Sequence, residues 1–166
     1  MSAKVLVVVA HPDDEALWAG GYLAQHRGTH VACCTIDARK PQRCVHFYDS
    51  CKVLGAVGFF VSGEWSMWGI DLRPILAFAN QYDEIITHNA KGEYGHPAHI
   101  KLHEAMKTLD KPMRVFGYGL TTEGESLSDI IYERKIAAIK CYPTENVLPN
   151  LGKQFNLKRE TFLSSY

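Results

Sequence analysis

No run of apolar residues in this 166-residue chain approaches the roughly 20 needed to cross a bilayer, so no membrane span is expected. Charge of either sign is not in excess: 18 Lys and Arg balance 18 Asp and Glu. Nothing there predicts a nucleic acid or an anionic membrane surface as partner. The number of cysteines is odd, and no C-x-x-C occurs among Cys33, Cys34, Cys44, Cys51 and Cys141. That argues against a disulfide framework or a structural zinc knot. The loop after the first strand-like run lacks G-x-G-x-x-G, and Gly20 and Gly21 lie too deep in the following helix-like stretch to cradle a phosphate. No charge block, low-complexity tract or repeat appears, and no signal-peptide pattern precedes the first strand. A cytoplasmic protein with residues 1–166 forming a single domain is the expectation.

What the chain does have is alternation. Lys4–Ala10, His30–Ile36, Val57–Ser62, Glu84–His88 and Val115–Leu120 read as strands. Helix-like stretches follow each of them: Asp13–Arg27, Arg43–Leu54, Ile70–Gln81, Pro97–Leu109 and Ser128–Tyr142. The remainder is a tail with a short closing segment. The β-branched run Val5–Val9 has no polar alternation, as in a strand buried on both faces. The expected fold is α/β and Rossmann-like, with a mostly parallel sheet of five or slightly more strands and helices on both faces. The loops after strands 1 to 4 then open on one edge, where open α/β sheets bind ligands.

Two polar clusters fall on that edge. His11-Pro12-Asp13-Asp14-Glu15 follows strand 1, and Tyr94-Gly95-His96-Pro97-Ala98-His99 follows strand 4. His11, Asp14 and His99 supply two imidazoles and one carboxylate, a donor set for catalytic Zn2+ with a fourth position left to water. Fe2+ is the alternative ion. Such an ion brings water close to neutral pKa. Asp13 is adjacent to one ligand and must point elsewhere, which suits a general base. Glu15 reads as a supporting residue behind the ligands. His96 lies one helical turn before His99 and shares its face. As an imidazolium it would stabilise an oxyanion and later protonate a leaving amine, with Tyr94 as a second donor. His88 reads as a buried, hydrogen-bonded histidine, and His103, four residues after His99 on its face, as packed on the inner side of the helix in preference to an extra ligand. In the loop after strand 3, Glu64 and Trp65 are candidate substrate contacts. The aromatic loop Trp65, Met67, Trp68 suits either a sugar ring or a partner subunit, and with the short chain it mildly favours a homo-oligomer.

These two motifs together resemble the PIG-L/LmbE-like family of zinc-dependent N-deacetylases. The resemblance extends through Arg43 and Leu54-Gly55 to a late Lys135…Tyr142 helix, and so covers about residues 4–142. It implies a Rossmann-like fold and removal of an N-acyl group, typically acetyl, from an amino sugar or its conjugate. It also implies His11, Asp14 and His99 as zinc ligands, Asp13 as base, His96 and Tyr94 as catalytic partners, and Arg43 as a substrate contact. Two positions depart from the family pattern. Ala98 stands where Asp or Asn is usual, removing an acid that would hold His96 as a cation unless Glu93 substitutes. His46 stands where Glu is usual. A metal-dependent amidase acting on another acyl amide, or a non-catalytic Rossmann-like binding module, are the competing readings. A two-metal phosphoesterase would need further carboxylates.

Overall fold

The structure, a computed structural model, describes residues 3–61, 71–117, 124–143 and 156–165. The described elements run β1 (Val5–Val9), α1 (Asp14–Gln25), β2 (His30–Cys33), α2 (Gln42–Leu54), β3 (Val57–Phe60), α3 (Arg73–Ala79) and β4 (Glu84–Thr87). There follow a single turn α4 (Gly92–Gly95), α5 (Pro97–Lys107), β5 (Met113–Phe116), β6 (Glu125–Ser126), α6 (Asp129–Ile139), β7 (Arg159–Glu160) and β8 (Phe162–Ser165).

The main sheet has the order β3-β2-β1-β4-β5-β8. Its first five strands are parallel and β8 runs antiparallel to β5. The expected α/β architecture is therefore present, with the closing segment of the tail as the sixth strand. The short pair β6-β7 lies outside this sheet.

Period-two alternation along β1 explains why both faces are covered. Val7 and Val9 point into one apolar layer with Leu23, Val31, Phe47, Leu54 and Ile139. Leu6 and Val8 point into the other with Ile75, Ile85, Leu102 and Met106. Helices α1, α2 and α6 thus cover one face, and α3 and α5 the other.

Strand 5 departs from expectation. It occupies Met113–Phe116 rather than starting at Val115. Arg114 lies just before the expected strand. Its guanidinium pairs with Glu84 on the neighbouring strand and lies 5.1 Å from the Tyr22 ring centre and 5.8 Å from that of Phe162. Strand 2 likewise stops at Cys33 rather than Ile36, and α3 is confined to Arg73–Ala79.

Gly20 and Gly21 have a packing role. A Cβ on Gly20 would lie 2.8 Å from Lys135 Cγ, and one on Gly21 would lie 2.8 Å from Leu127 Cδ1 and 2.9 Å from Glu160 Oε2. The bare helix surface lets a buried pair, Lys135 Nζ to Glu160 Oε1 at 2.7 Å, sit directly on α1. Glu160 also accepts from the Gly21 and Tyr22 amides at 2.6 and 2.8 Å. Gly21→Ala should cost about 1–3 kcal/mol of stability through overpacking. Urea unfolding measures this, and an unchanged midpoint would contradict the packing account.

Candidate metal centre

Strand order fixes the location of the site. The chain steps from β1 outward to β2 and β3, then returns to β4 on the other side of β1. The carboxyl ends of β1 and β4 therefore flank the point where the winding reverses, the crevice in which such sheets bind ligands. His11, Asp13 and Asp14 leave β1 there, and His88, Glu93, His96 and His99 leave β4.

The structure brings His11, Asp14 and His99 together. His11 Nδ1 lies 3.3 Å from Asp14 Oδ2 and 3.2 Å from His99 Nε2, and the third edge, His99 Nε2 to Asp14 Oδ2, is 3.3 Å. Ligands bonded at roughly 2.0–2.1 Å to a tetrahedral ion lie about 3.3–3.4 Å apart. The donor triangle therefore has the size of one face of a zinc tetrahedron.

Asp14, His88 and His99 form a second donor cluster, and His11, His96 and His99 a third that overlaps the first. The second is less available. His88 Nε2 already accepts the Ala10 amide at 3.0 Å, and Nδ1 donates to Glu93 Oε2 at 2.8 Å. Both of its ring nitrogens are thereby engaged within the protein. His88 is the buried, bonded histidine expected from sequence, and His103 packs inward as expected, its Nδ1 donating to the His88 carbonyl at 2.9 Å.

Two of the three donors are oriented from behind. Glu93 Oε2 accepts His99 Nδ1–H at 2.6 Å, which turns Nε2 toward Asp14. Asp14 accepts the His11 amide on Oδ2 at 2.9 Å and the Trp18 indole on Oδ1 at 3.3 Å. Carboxylate–histidine pairs and hydrogen-bonded carboxylates of this kind tune metal sites. Glu93 in turn is held by the Asn89 amide at 2.8 Å, and Asn89 Nδ2 donates to the Phe116 carbonyl at 2.9 Å. Glu93 therefore does not stand in for the missing acid at position 98. It serves His88 and His99. Sequence reasoning missed Asn89 and Trp18, although both fall within the loop and helix that carry the motifs.

Burial works against charge throughout this cluster, and opposite charge overcomes it. The imidazoles of His99 and His88 hold the Asp14 carboxyl well below its ordinary range. His88 and His99 likewise lower Glu93. Asp14 and Glu93 raise His99 to about 10.

His96 behaves oppositely. Burial and the neighbouring imidazoles of His11 and His99 push it down to about 4. Its Nδ1 accepts the Ala98 amide at 3.2 Å and so caps α5. That leaves an Nε2–H to donate. The expected imidazolium is thus a neutral ring here. Ala98 itself is buried in the apolar layer with Leu6, Val8 and Ile75, a place where an acid would lose its hydration.

Asp13 caps α1 with φ 117° and ψ −28°, a left-handed conformation rare outside glycine. Its Oδ2 pairs with Arg43 Nη2 at 3.0 Å, and the same nitrogen donates to the Pro12 carbonyl. Arg43, expected to touch substrate, lines a cavity of about 160 Å3 and pins Asp13 at the same time. Thr35, Asp37, Arg39, His11, Pro12 and His96 complete that cavity wall. Tyr94 is half exposed, with its ring 5.8 Å from His96, 5.6 Å from His99 and 6.4 Å from Trp18. His46 is absent from the cavity wall and faces Tyr142 edge-on at 6.0 Å. Glu64, Trp65, Met67 and Trp68 lie outside the described residues.

No protein-family model matches the chain. A 1D-myo-inositol 2-acetamido-2-deoxy-alpha-D-glucopyranoside deacetylase of Corynebacterium diphtheriae is 29% identical over 157 residues, an alignment covering 68% of this chain and 54% of that protein. The chain thus spans about half the length of the curated relatives it matches. A triple mutant of a deacetylase of the teicoplanin biosynthetic pathway superimposes with a TM-score of 0.72, covering 98% of each chain at 16% identity. The 4-carboxy-2-hydroxymuconate hydratase of Pseudomonas putida KT2440 superimposes with a TM-score of 0.70, covering 99% of this chain and 97% of its own, also at 16% identity. One fold therefore carries two chemistries, and function has to be argued from the site.

The His99 shift has a consequence for metal uptake. A group raised from 6.5 to about 10 on folding stabilises the metal-free protein fully below 6.5, and that contribution is lost as pH rises through about 10. At about pH 8 a metal must displace that proton. Zinc titration at this pH should release protons, and affinity should rise with pH. Titration calorimetry in buffers of different ionisation enthalpy measures this. Zinc binding without proton release would contradict the assignment.

Proposed function

We propose that this chain, a sequence relative of the PIG-L/LmbE-like deacetylases with their α/β fold, is a metal-dependent hydrolase that removes an N-acetyl group from an amino sugar or its conjugate. The observation that carries the reading is the triangle of His11 Nδ1, Asp14 Oδ2 and His99 Nε2, with edges of 3.2–3.3 Å. An amino-sugar substrate is inferred from the named activity of the sequence relatives.

His11, Asp14 and His99 would hold the ion, with Zn2+ the first choice and Fe2+ the alternative for such a donor set. Bound there, a divalent ion supplies Lewis acidity toward water and the substrate carbonyl. The remaining chemistry belongs to the chain. Asp13 Oδ1 or Oδ2 takes a proton from the attacking water, and Arg43 holds that carboxylate in place. His96 Nε2–H donates to the carbonyl oxygen as negative charge builds there, and the Tyr94 hydroxyl is the second donor. A neutral His96 has no second proton to give, so Asp13 returns its proton to the leaving nitrogen as the C–N bond breaks. Acetate and a free amine are the products.

Arg39, Arg43 and Asp37 around the cavity suit a hydroxyl-rich sugar, and Glu64 and Trp65 remain proposed substrate contacts. We read the whole chain as one deacetylase domain. Among the described residues no helix is long and apolar enough to cross a membrane. No disulfide joins the five cysteines, which suits a reducing cytoplasm.

The test is acetate release from 1D-myo-inositol 2-acetamido-2-deoxy-alpha-D-glucopyranoside and from N-acetylglucosamine, with zinc-replete and chelated protein. Zinc-dependent acetate is expected. Asp13→Ala should lower kcat by about 100-fold or more while leaving bound zinc unchanged. Turnover of an analogue bearing another N-acyl group, with no acetate from these two, identifies an amidase of different acyl choice. Zinc bound without turnover of either substrate, or normal turnover by Asp13→Ala, contradicts the proposal.

A further inference from the structure

Glu15 has no part in the chemistry above, yet its carboxylate is fully buried and bonded on both oxygens. Oε1 accepts the Ser50 hydroxyl from α2 at 2.6 Å and the Tyr142 hydroxyl just past α6, also at 2.6 Å. Oε2 accepts the backbone N–H of Asp13 at 3.0 Å. Three separate parts of the fold therefore converge on one side chain, and its Oε2 reaches back to the residue whose backbone is strained.

An ordinary helix N-cap has extended backbone angles and offers its own side chain to the helix amides. Asp13 does neither. Its φ is 117°, and its carboxylate makes no cap bond. It turns instead to Arg43. A non-glycine residue keeps such a conformation only when its surroundings over-determine it. Here the surroundings act at both ends, with Glu15 Oε2 on the amide and Arg43 Nη2 on the carboxylate.

We propose that Glu15 is a positioning residue: anchored by Ser50 and Tyr142, it holds the Asp13 peptide in its left-handed conformation and so aims the Asp13 carboxylate at the substrate edge of the site. This rests on the reading of Asp13 as the general base. It also gives the late helix a task, since Tyr142 is one of the two anchors.

Glu15→Gln preserves shape but presents an NH2 or an already engaged oxygen to the Asp13 amide. The expected variant is folded by circular dichroism and binds zinc normally. Its kcat falls about 10- to 100-fold with KM within about twofold, as for misplacement of a base. Placed on top of Asp13→Asn, it should lower kcat no further, because both changes remove one function. A signature independent of turnover comes from NMR. The Asp13 amide proton, bonded to a carboxylate, should move upfield and exchange faster in Glu15→Gln.

Four results would each overturn the proposal: wild-type kcat, zinc loss, a defect that multiplies onto that of Asp13→Asn, or an unchanged Asp13 amide signal. Asp13→Asn alone tests the underlying base assignment, so the two failures separate. Should Glu15→Gln not fold, Ser50→Ala and Tyr142→Phe each remove one anchor. They should show the same kcat-only pattern at smaller amplitude, and a wild-type kcat in both would equally overturn it.

Discussion

The structure around this site depends on keeping two buried carboxylates charged. Asp14 and Glu93 lie at the meeting point of β1 and β4, where burial alone would protonate them. They remain ionised because His88 and His99 stack against each other, ring centres 3.8 Å apart, between the two acids. Remove either acid and a buried imidazole loses its partner. Remove either imidazole and a buried acid does. The field that draws a proton onto His99 also favours positive charge at the triangle of His11, Asp14 and His99. Affinity for a metal, under the proposed reading, would follow from how the charges are buried, before any particular ion is considered.

That burial is possible only because of the sheet. Val5–Val9 is apolar throughout, so β1 is central and its carboxyl end is sealed on both sides by helices. The return of the chain to β4 beside β1 then brings residues 78 or 88 positions apart in sequence into hydrogen-bonding distance. Gly20 and Gly21 allow the Lys135–Glu160 pair to lock α6 and β7 onto the back of α1. α1 itself carries Asp14 in its first turn, and so the packing of the far face sets where the site's carboxylate stands.

Much of this was legible in the sequence. Strand-helix alternation gave the α/β sheet, and the two polar clusters gave the trio His11, Asp14 and His99 that the fold brings together. Less legible was anything set by side-chain partnership. Whether Glu93 substitutes as the acid for His96 stayed open in the sequence, whereas in the fold Glu93 is held by the Asn89 amide and serves His88 and His99. His96 read as an imidazolium, but its Nδ1 caps α5 and its neighbours repel a proton. Arg43 read as a substrate contact, and its grip on Asp13 could not be inferred without the β1–α1 loop in three dimensions. Arg114 was unreadable as a strand residue because its pairing with Glu84 depends on strand order.

X-ray absorption spectroscopy of the zinc-loaded protein tests the central claim, that His11, Asp14 and His99 are the ligands, most directly. It should be read alongside a His88→Gln variant and a His11→Gln variant. The account predicts two imidazole nitrogens and carboxylate or water oxygen at roughly 2.0–2.2 Å. One imidazole should disappear in His11→Gln, and both should persist in His88→Gln. Loss of an imidazole from the zinc shell in His88→Gln, with none lost in His11→Gln, would place the ion in the other cluster and contradict the account.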